Sequence, residues 1–315
     1  MRKVVKIDLN DKAYGGRVYE NEMIALLDKE VEFERVFIMK HKFKPLNVFR
    51  LLWLIIKYKF LFDGILLLTN QTTFFASKKS RNIVVVHHIE RNLGNSPSEH
   101  FQRYCDNYLF RNSDRYAIVI AVAECWKREL VNAGFKDVRV IYNSFDQSEY
   151  SFTPEVISDF KNRYGLDERP LIYLGNCQMQ KGVVESYRAL KGEGYQLVTS
   201  GRKQVDIPAV NLDLPFADYK VLLAASDVVL TMSKFTEGWN RTAHEASLCG
   251  TPVIGTGTGG MHELLEMAGQ SETKDYSKLP VIIKERLSES YHPTKELLAL
   301  NKEYFYREWH KVLCE

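Results

Sequence analysis
The chain has 315 residues, with 43 basic and 40 acidic side chains, 45% hydrophobic residues and 26% charged ones. At roughly 100–200 residues per domain, this length and composition predict two globular domains and exclude disordered, collagen-like and long coiled-coil chains. The net charge of +3 does not call for nucleic acid as a partner, but it is uneven: 24 basic and 18 acidic residues lie in 1–150, and 19 and 22 follow, so the first half is the basic one.

In chain order, Asp8 and Asp11 interrupt the N-terminal region before an apolar signal core forms, so no secretion signal is expected. Short apolar runs at 4–7, 36–38, 64–68, 83–86, 117–122 and 138–141 predict strands buried on both faces, joined by helical crossovers. That is a parallel-sheet α/β domain over 1–150. The run at 51–68 carries Lys57, Lys59 and Asp63 and falls short of the roughly 18–20 apolar residues of a membrane span. A polar stretch ending at Pro170 precedes new strand candidates at 171–174, 196–199, 228–230 and 252–255, which predict a second α/β domain over 151–293. The closing segment, 294–315, has helix formers and an aromatic face of Tyr304, Phe305, Tyr306 and Trp309, and is expected as one helix docked on the first domain. Five scattered cysteines form no Cys-x-x-Cys pair and no metal-spaced set with histidine, which points to a reduced, cytoplasmic compartment. Two such domains facing across a cleft suit a nucleotide-containing ligand, because loops at the carboxyl ends of parallel strands build the site.

The most informative stretch is Thr236-Glu237-Gly238-Trp239-Asn240-Arg241-Thr242-Ala243-His244-Glu245-Ala246, followed by Gly250-Thr251-Pro252-Val253-Ile254-Gly255. Counted as helical rise, the spacing of Glu237 and Glu245 puts them roughly 12 Å apart. That separation could let one carboxylate reach a sugar while the other reaches a ribose, with a diphosphate between them near a helix N-terminus. A bare spacing of this kind most often marks two solvated helix acids; its surroundings decide otherwise.

This block resembles the signature of retaining glycosyltransferases with the GT-B fold, the group called family 4 or "glycosyl transferases group 1". Ser226-Asp227-Val228-Val229-Leu230 precedes it as that family's strand does, and Gly259-Gly260-Met261-His262-Glu263-Leu264 matches the Gly-Gly-x-x-Glu element. The 175–182 segment resembles its phosphate-binding turn. Gly15-Gly16, His88 and Ile141-Tyr142-Asn143-Ser144-Phe145-Asp146 stand where the family has counterparts. The resemblance implies two Rossmann-like domains. It implies Glu237 on the donor sugar, with Gly238, Trp239, Asn240 and Arg241 around it, and Glu245 on the ribose. Lys181 would lie against the diphosphate, Gly15 and Gly16 would form a flexible phosphate-side loop, and His88, in preference to His87, would point at the sugar. The family's usual arginine is replaced by Asn176, and Arg202 or Arg241 is the candidate to restore that charge; Trp239-Asn240 stands where Phe-Gly is commoner.

The 40–60 segment mixes Lys40, Lys42, Lys44, Arg50, Lys57 and Lys59 with Phe43, Trp53, Tyr58 and Phe60. That pattern suits a surface visiting anionic lipid, and equally a helix packed on its own core with a charged edge. The lipid reading adds peripheral membrane contact and a lipid-linked acceptor. The expectation is therefore a retaining, metal-independent glycosyltransferase of the cytoplasm. It would move a sugar from a UDP- or GDP-type donor to a glycan or lipid-linked acceptor, with no Asp-x-Asp element and no separate cofactor. The rivals are a GT-B-like nucleotide-sugar epimerase and a catalytically silent nucleotide-sugar binder.

Overall fold
The structure, a computed structural model, describes residues 2–11, 15–40, 44–90, 94 and 96–315, with Lys44 by its backbone alone. These form two compact units, Met1–Ser144 with Glu303–Glu315, and Phe145–Lys302. Residues 145–150 and 294–302 thus belong to the second unit, where the short turn Gln147–Tyr150 carries Tyr150 onto Glu245.

The first unit is a six-stranded parallel sheet of β1 (Arg2–Asp8), β2 (Val31–Phe37), β3 (Ile65–Thr69), β4 (Arg81–Val86), β5 (Tyr116–Ala121) and β6 (Val138–Val140), in the order β2-β1-β3-β4-β5-β6. Continuous apolar runs such as Leu66, Leu67 and Leu68 are fully buried, as strands covered on both faces require. The second strand starts five residues earlier than its apolar run predicts. It pairs with β1 from Arg2↔Val31 to Asp8↔Phe37 and, lying at the sheet edge, tolerates Glu32, Glu34 and Arg35.

The second unit repeats the plan with β7 (Leu171–Asn176), β8 (Gln196–Ser200), β9 (Val210–Leu212), β10 (Val228–Thr231), β11 (Val253–Gly255) and β12 (Ser271–Glu272), in the order β12-β11-β10-β7-β8-β9. Its core is built from Ile172, Leu174, Val183, Val228, Leu230 and Ile254 with their neighbours. Both β9 and β12 are short edge strands with no apolar run to announce them.

The expected helix over 294–315 is two helices, Lys295–Leu298 and Lys302–Leu313. The break follows from Leu300, whose carbonyl accepts the Phe145 amide at 3.2 Å instead of continuing a helical ladder. On the second helix, Phe305 and Trp309 are buried edge-on against Tyr19, at centroid distances of 4.8 and 6.1 Å. Tyr304 takes the Tyr142 amide at 3.1 Å.

Helix Lys44–Leu54 runs on into the π-helical turn Ile55–Leu61 and packs through Leu54 and Tyr58, each 1% exposed. Phe49, Leu52, Trp53, Phe60 and Leu61 stay 54–71% exposed. Three of its cations turn back to the protein: Arg50 donates to the Phe37 carbonyl, Lys57 to Tyr58 and Glu34, and Lys59 to the Phe74 carbonyl. Of the other residues singled out here, Lys42 and Phe43 lie outside the described residues. Among the described residues no helix is long and apolar enough to cross a membrane.

Candidate functional site
Strands β7 and β10 are neighbours, with Val228 beside Ile172. The segments leaving their carboxyl ends therefore meet, although 56 residues separate the side chains concerned. After β7 the chain makes the short turn Met179–Lys181 and passes through Gly182 at φ +69° into helix Val183–Leu190. A Cβ at Gly182 would collide with the Met232 carbonyl and lie 2.5 Å from the Tyr276 hydroxyl, so glycine is required both for the left-handed backbone and for the close approach. This turn delivers the Lys181 ammonium to within 2.8 Å of Glu237 Oε1. The same oxygen accepts from Ser233 Oγ at 2.5 Å and Asn240 Nδ2 at 3.3 Å. The Phe235 ring lies 4.6 Å below the ammonium.

Glu237 is held by its backbone as well. It forms a lone bridge with Gly259, and its carbonyl accepts the Gly260 amide at 3.0 Å. Gly259 has φ +64° and ψ −137°, a conformation suited to glycine, which explains the first glycine of the Gly-Gly pair. Asn240, at φ +63°, is the one non-glycine residue with positive φ among the described residues. Its Oδ1 caps helix Arg241–Leu248 by accepting the Ala243 amide at 2.9 Å. Because that helix starts at Arg241, only half of the Glu237–Glu245 interval is helical, and the rise-based spacing of the two acids does not apply.

Glu245 is 3% exposed, one turn into the helix. Burial pushes its carboxyl up to about 7, against the pull of the Arg241 guanidinium at 3.5 Å and the Tyr150 hydroxyl at 3.4 Å. Arg241 also lies 4.3 Å from the Phe145 ring centroid, so its charge is engaged by both that ring and Glu245. Arg202 is exposed after β8. Asn176 is exposed at the end of β7, and its Oδ1 accepts from Ser200 Oγ at 2.9 Å and from the Tyr173 hydroxyl at 3.3 Å. Trp239 is 3% exposed and donates its indole N–H to His244 Nδ1 at 3.1 Å, so its ring is a core element. His244 is neutral, its pKa drawn down to about 3 by burial and then by Arg241.

The first unit collects Gly15, Gly16, His87 and His88 around a cavity of about 500 Å³ at the carboxyl ends of β1, β3 and β4. Gly15 and Gly16 open helix Gly15–Leu27. His88 is exposed, and its carbonyl accepts from Asn70 Nδ2 at 3.1 Å. His87 faces the buried Glu20 at 3.4 Å. Behind it, Lys6 bridges Glu20 at 2.7 Å and Asp8 at 2.5 Å, and Arg17 meets Asp8 at 2.5 Å. Burial alone would raise the Glu20 carboxyl, yet Lys6 and His87 hold it down at about 2. The predicted residues thus fall into two groups, Lys181 with Glu237–Glu245 in the second unit, and Gly15, Gly16 and His88 in the first. Sequence reasoning missed Ser233, Phe235 and Tyr150, which carry no motif of their own. It also missed the Lys6–Asp8–Arg17–Glu20 network, whose only trace is Lys6 and Asp8 inside an apolar strand.

Known proteins resemble the chain in part of its sequence and throughout its fold. No family model matches the chain. It is 30% identical over 195 residues to N-acetyl-alpha-D-glucosaminyl L-malate synthase of Bacillus anthracis, covering 55% of this chain and 49% of that protein. It is 27% identical over 177 residues to glycogen synthase of Mycobacterium tuberculosis, covering 50% and 41%. The chain therefore spans about half the length, or less, of these curated relatives. The structure of Anabaena Alr3699/HepE in complex with UDP-glucose superposes over 100% of both chains with a TM-score of 0.76 at 18% identity. That likeness shows the fold, two six-stranded parallel α/β units of the GT-B type.

Proposed function
We propose that the chain is a glycosyltransferase that holds a nucleotide-sugar donor, of UDP or GDP type, on its second unit and retains the anomeric configuration without a metal. The observation that carries the reading is the Lys181–Glu237 pair at the ends of adjacent strands, next to the N-terminal turn of helix Arg241–Leu248. The names of the relatives and of the UDP-glucose complex support the same substrate class. In this mechanism the C1–O bond to the diphosphate breaks while a new C1–O bond to the acceptor forms on the same face. The acceptor hydroxyl gives its proton to the departing diphosphate oxygen. Lys181 and helix amides stabilise the charge that develops on that oxygen, supplying the positive field that a divalent ion supplies elsewhere. Glu237, with Gly238 and Asn240, orients the sugar, and Glu245 binds the ribose. Arg202 is the cation we assign to the place left by Asn176, because Arg241 is engaged by Glu245. Gly15, Gly16 and His88 line the cavity assigned to sugar-side and acceptor contacts. The exposed Phe49, Trp53 and Phe60 favour an acceptor presented at a lipid surface. Since Arg50, Lys57 and Lys59 are tied to the protein, liposome binding should depend on these rings more than on salt.

Thermal shift with UDP, GDP and their sugars identifies the donor, because a ligand of the folded state raises the melting temperature. NMR of the product then fixes the stereochemistry: an α-linked donor gives an α-linked product, and a β product refutes retention. Conversion of the sugar with no acceptor would establish the epimerase, and binding without turnover the silent binder.

A further inference from the structure
Away from both groups of residues, three chemically different donors converge on one spot of the first unit. His310 and Cys314 stand one helical turn apart, on helix Lys302–Leu313 and just past its end, where the Cys314 amide donates to the His310 carbonyl at 2.8 Å. Glu30 comes from the turn between helix Gly15–Leu27 and β2. One ligand atom from each lies within 4.8 Å of the other two.

His310 Nε2 is 3.0 Å from Glu30 Oε2, with the two side chains 33% and 39% exposed, and the Tyr306 hydroxyl steadies the other Glu30 oxygen at 2.6 Å. On its far side, His310 Nδ1 has Glu315 Oε1 at 3.9 Å. An ion pair between His310 and Glu30 accounts for two of these groups but not for the thiol, which gains nothing from a neighbouring carboxylate. A dication accepts all three donors at once.

We infer that Glu30, His310 and Cys314 form a Zn²⁺ site, with water in the fourth position. One sulfur, one nitrogen and one oxygen donor suit a borderline-soft ion that takes tetrahedral sets of this kind. Ligand atoms in such a set lie roughly 3.3–3.6 Å apart, so closure from the observed spacing needs only side-chain rotation. Binding takes the proton from the Cys314 thiol and requires a neutral His310, whose Nδ1 side faces Glu315 as an outer carboxylate. The site would clip the C-terminal helix to the turn before β2, closing a loop that spans most of the chain.

Co²⁺ is the probe, added to the full chain. The wild type is expected to bind one equivalent with a thiolate charge-transfer band, to lose that band on addition of Zn²⁺, and to melt higher with Zn²⁺. Cys314→Ser should abolish the band. His310→Gln and Glu30→Gln should each weaken Zn²⁺ binding by at least about tenfold, since even outer partners of metal ligands are worth 10–100-fold. Cys314→Ser exchanges a single atom at a helix end, so it reports even where another variant fails to fold. A wild type without a thiolate band overturns the site, as does a Cys314→Ser chain that keeps the band or binds Zn²⁺ as tightly as the wild type.

Discussion

Glu245→Gln tests the burial of the second unit's acid through the pH dependence of stability. The folded-state value of about 7 stands above the ordinary 4.5, so the folded chain holds this proton more tightly than the unfolded chain does. Stability is therefore fully present below pH 4.5 and is lost as pH rises through about 7. At about 1.36 kcal/mol per unit, ionising Glu245 costs the fold about 3 kcal/mol, of which about 2–3 kcal/mol falls between pH 5 and pH 8. Glutamine has nearly the shape of the protonated acid and cannot ionise. The variant should exceed the wild type by about 1 kcal/mol near pH 5 and by about 3 kcal/mol at pH 8. His244 titrates with the opposite sign, its stability lost as pH falls toward about 3, but it is common to both chains and drops out of the difference. Urea unfolding of both chains across this range, followed by fluorescence and circular dichroism, measures that difference. Parallel profiles, with a gap that does not change with pH, would refute the argument.

Three further outcomes follow from the same geometry. Lys181→Ala should lower kcat/KM for the nucleotide sugar by about 100-fold or more, the scale of losing one preorganised charge-stabilising donor; a near-normal rate measured in a donor-saturation series would move the diphosphate to Arg202. Gly182→Ala should destabilise the second unit by about 1–3 kcal/mol through backbone strain, seen as a lower melting temperature, and should weaken donor binding because the turn carrying Lys181 moves. Transfer should survive EDTA, and activity lost on chelation and restored by Mg²⁺ or Mn²⁺ would count against a lysine-based site.

The two-sheet plan was legible because strands covered on both faces must be apolar throughout, and runs such as Leu66-Leu67-Leu68 and Val228-Val229-Leu230 meet that requirement without interruption. Edge strands escape that rule. The first half of β2, with Glu32 and Glu34, and the short β9 and β12 have a solvent side and no continuous apolar run. The break at residues 299–301 was invisible for another reason, since the partner that takes the Leu300 carbonyl lies 155 positions away in sequence, at Phe145. At the candidate site, Lys181 and Glu237 could each be singled out from local pattern and resemblance, but their ion pair depends on β7 lying next to β10, which no local signal carries. Tyr150 and Ser233 are ordinary residues until the fold brings them to Glu245 and Glu237.

The Lys181–Glu237 pair also sets a condition on what the second unit can hold. The Glu237 side chain is only 11% exposed, so a group that captured the ammonium by itself would leave the carboxylate charge to the neutral donors Ser233 and Asn240, with little water to compensate it. An anion such as inorganic phosphate meets half of that demand. A molecule that presents an anion and, a few ångströms away, hydroxyl hydrogens meets both halves at once. Under the proposed function, the resting contact would work as a paired lock, in which anion and hydroxyls must arrive on the same ligand for either to be admitted readily.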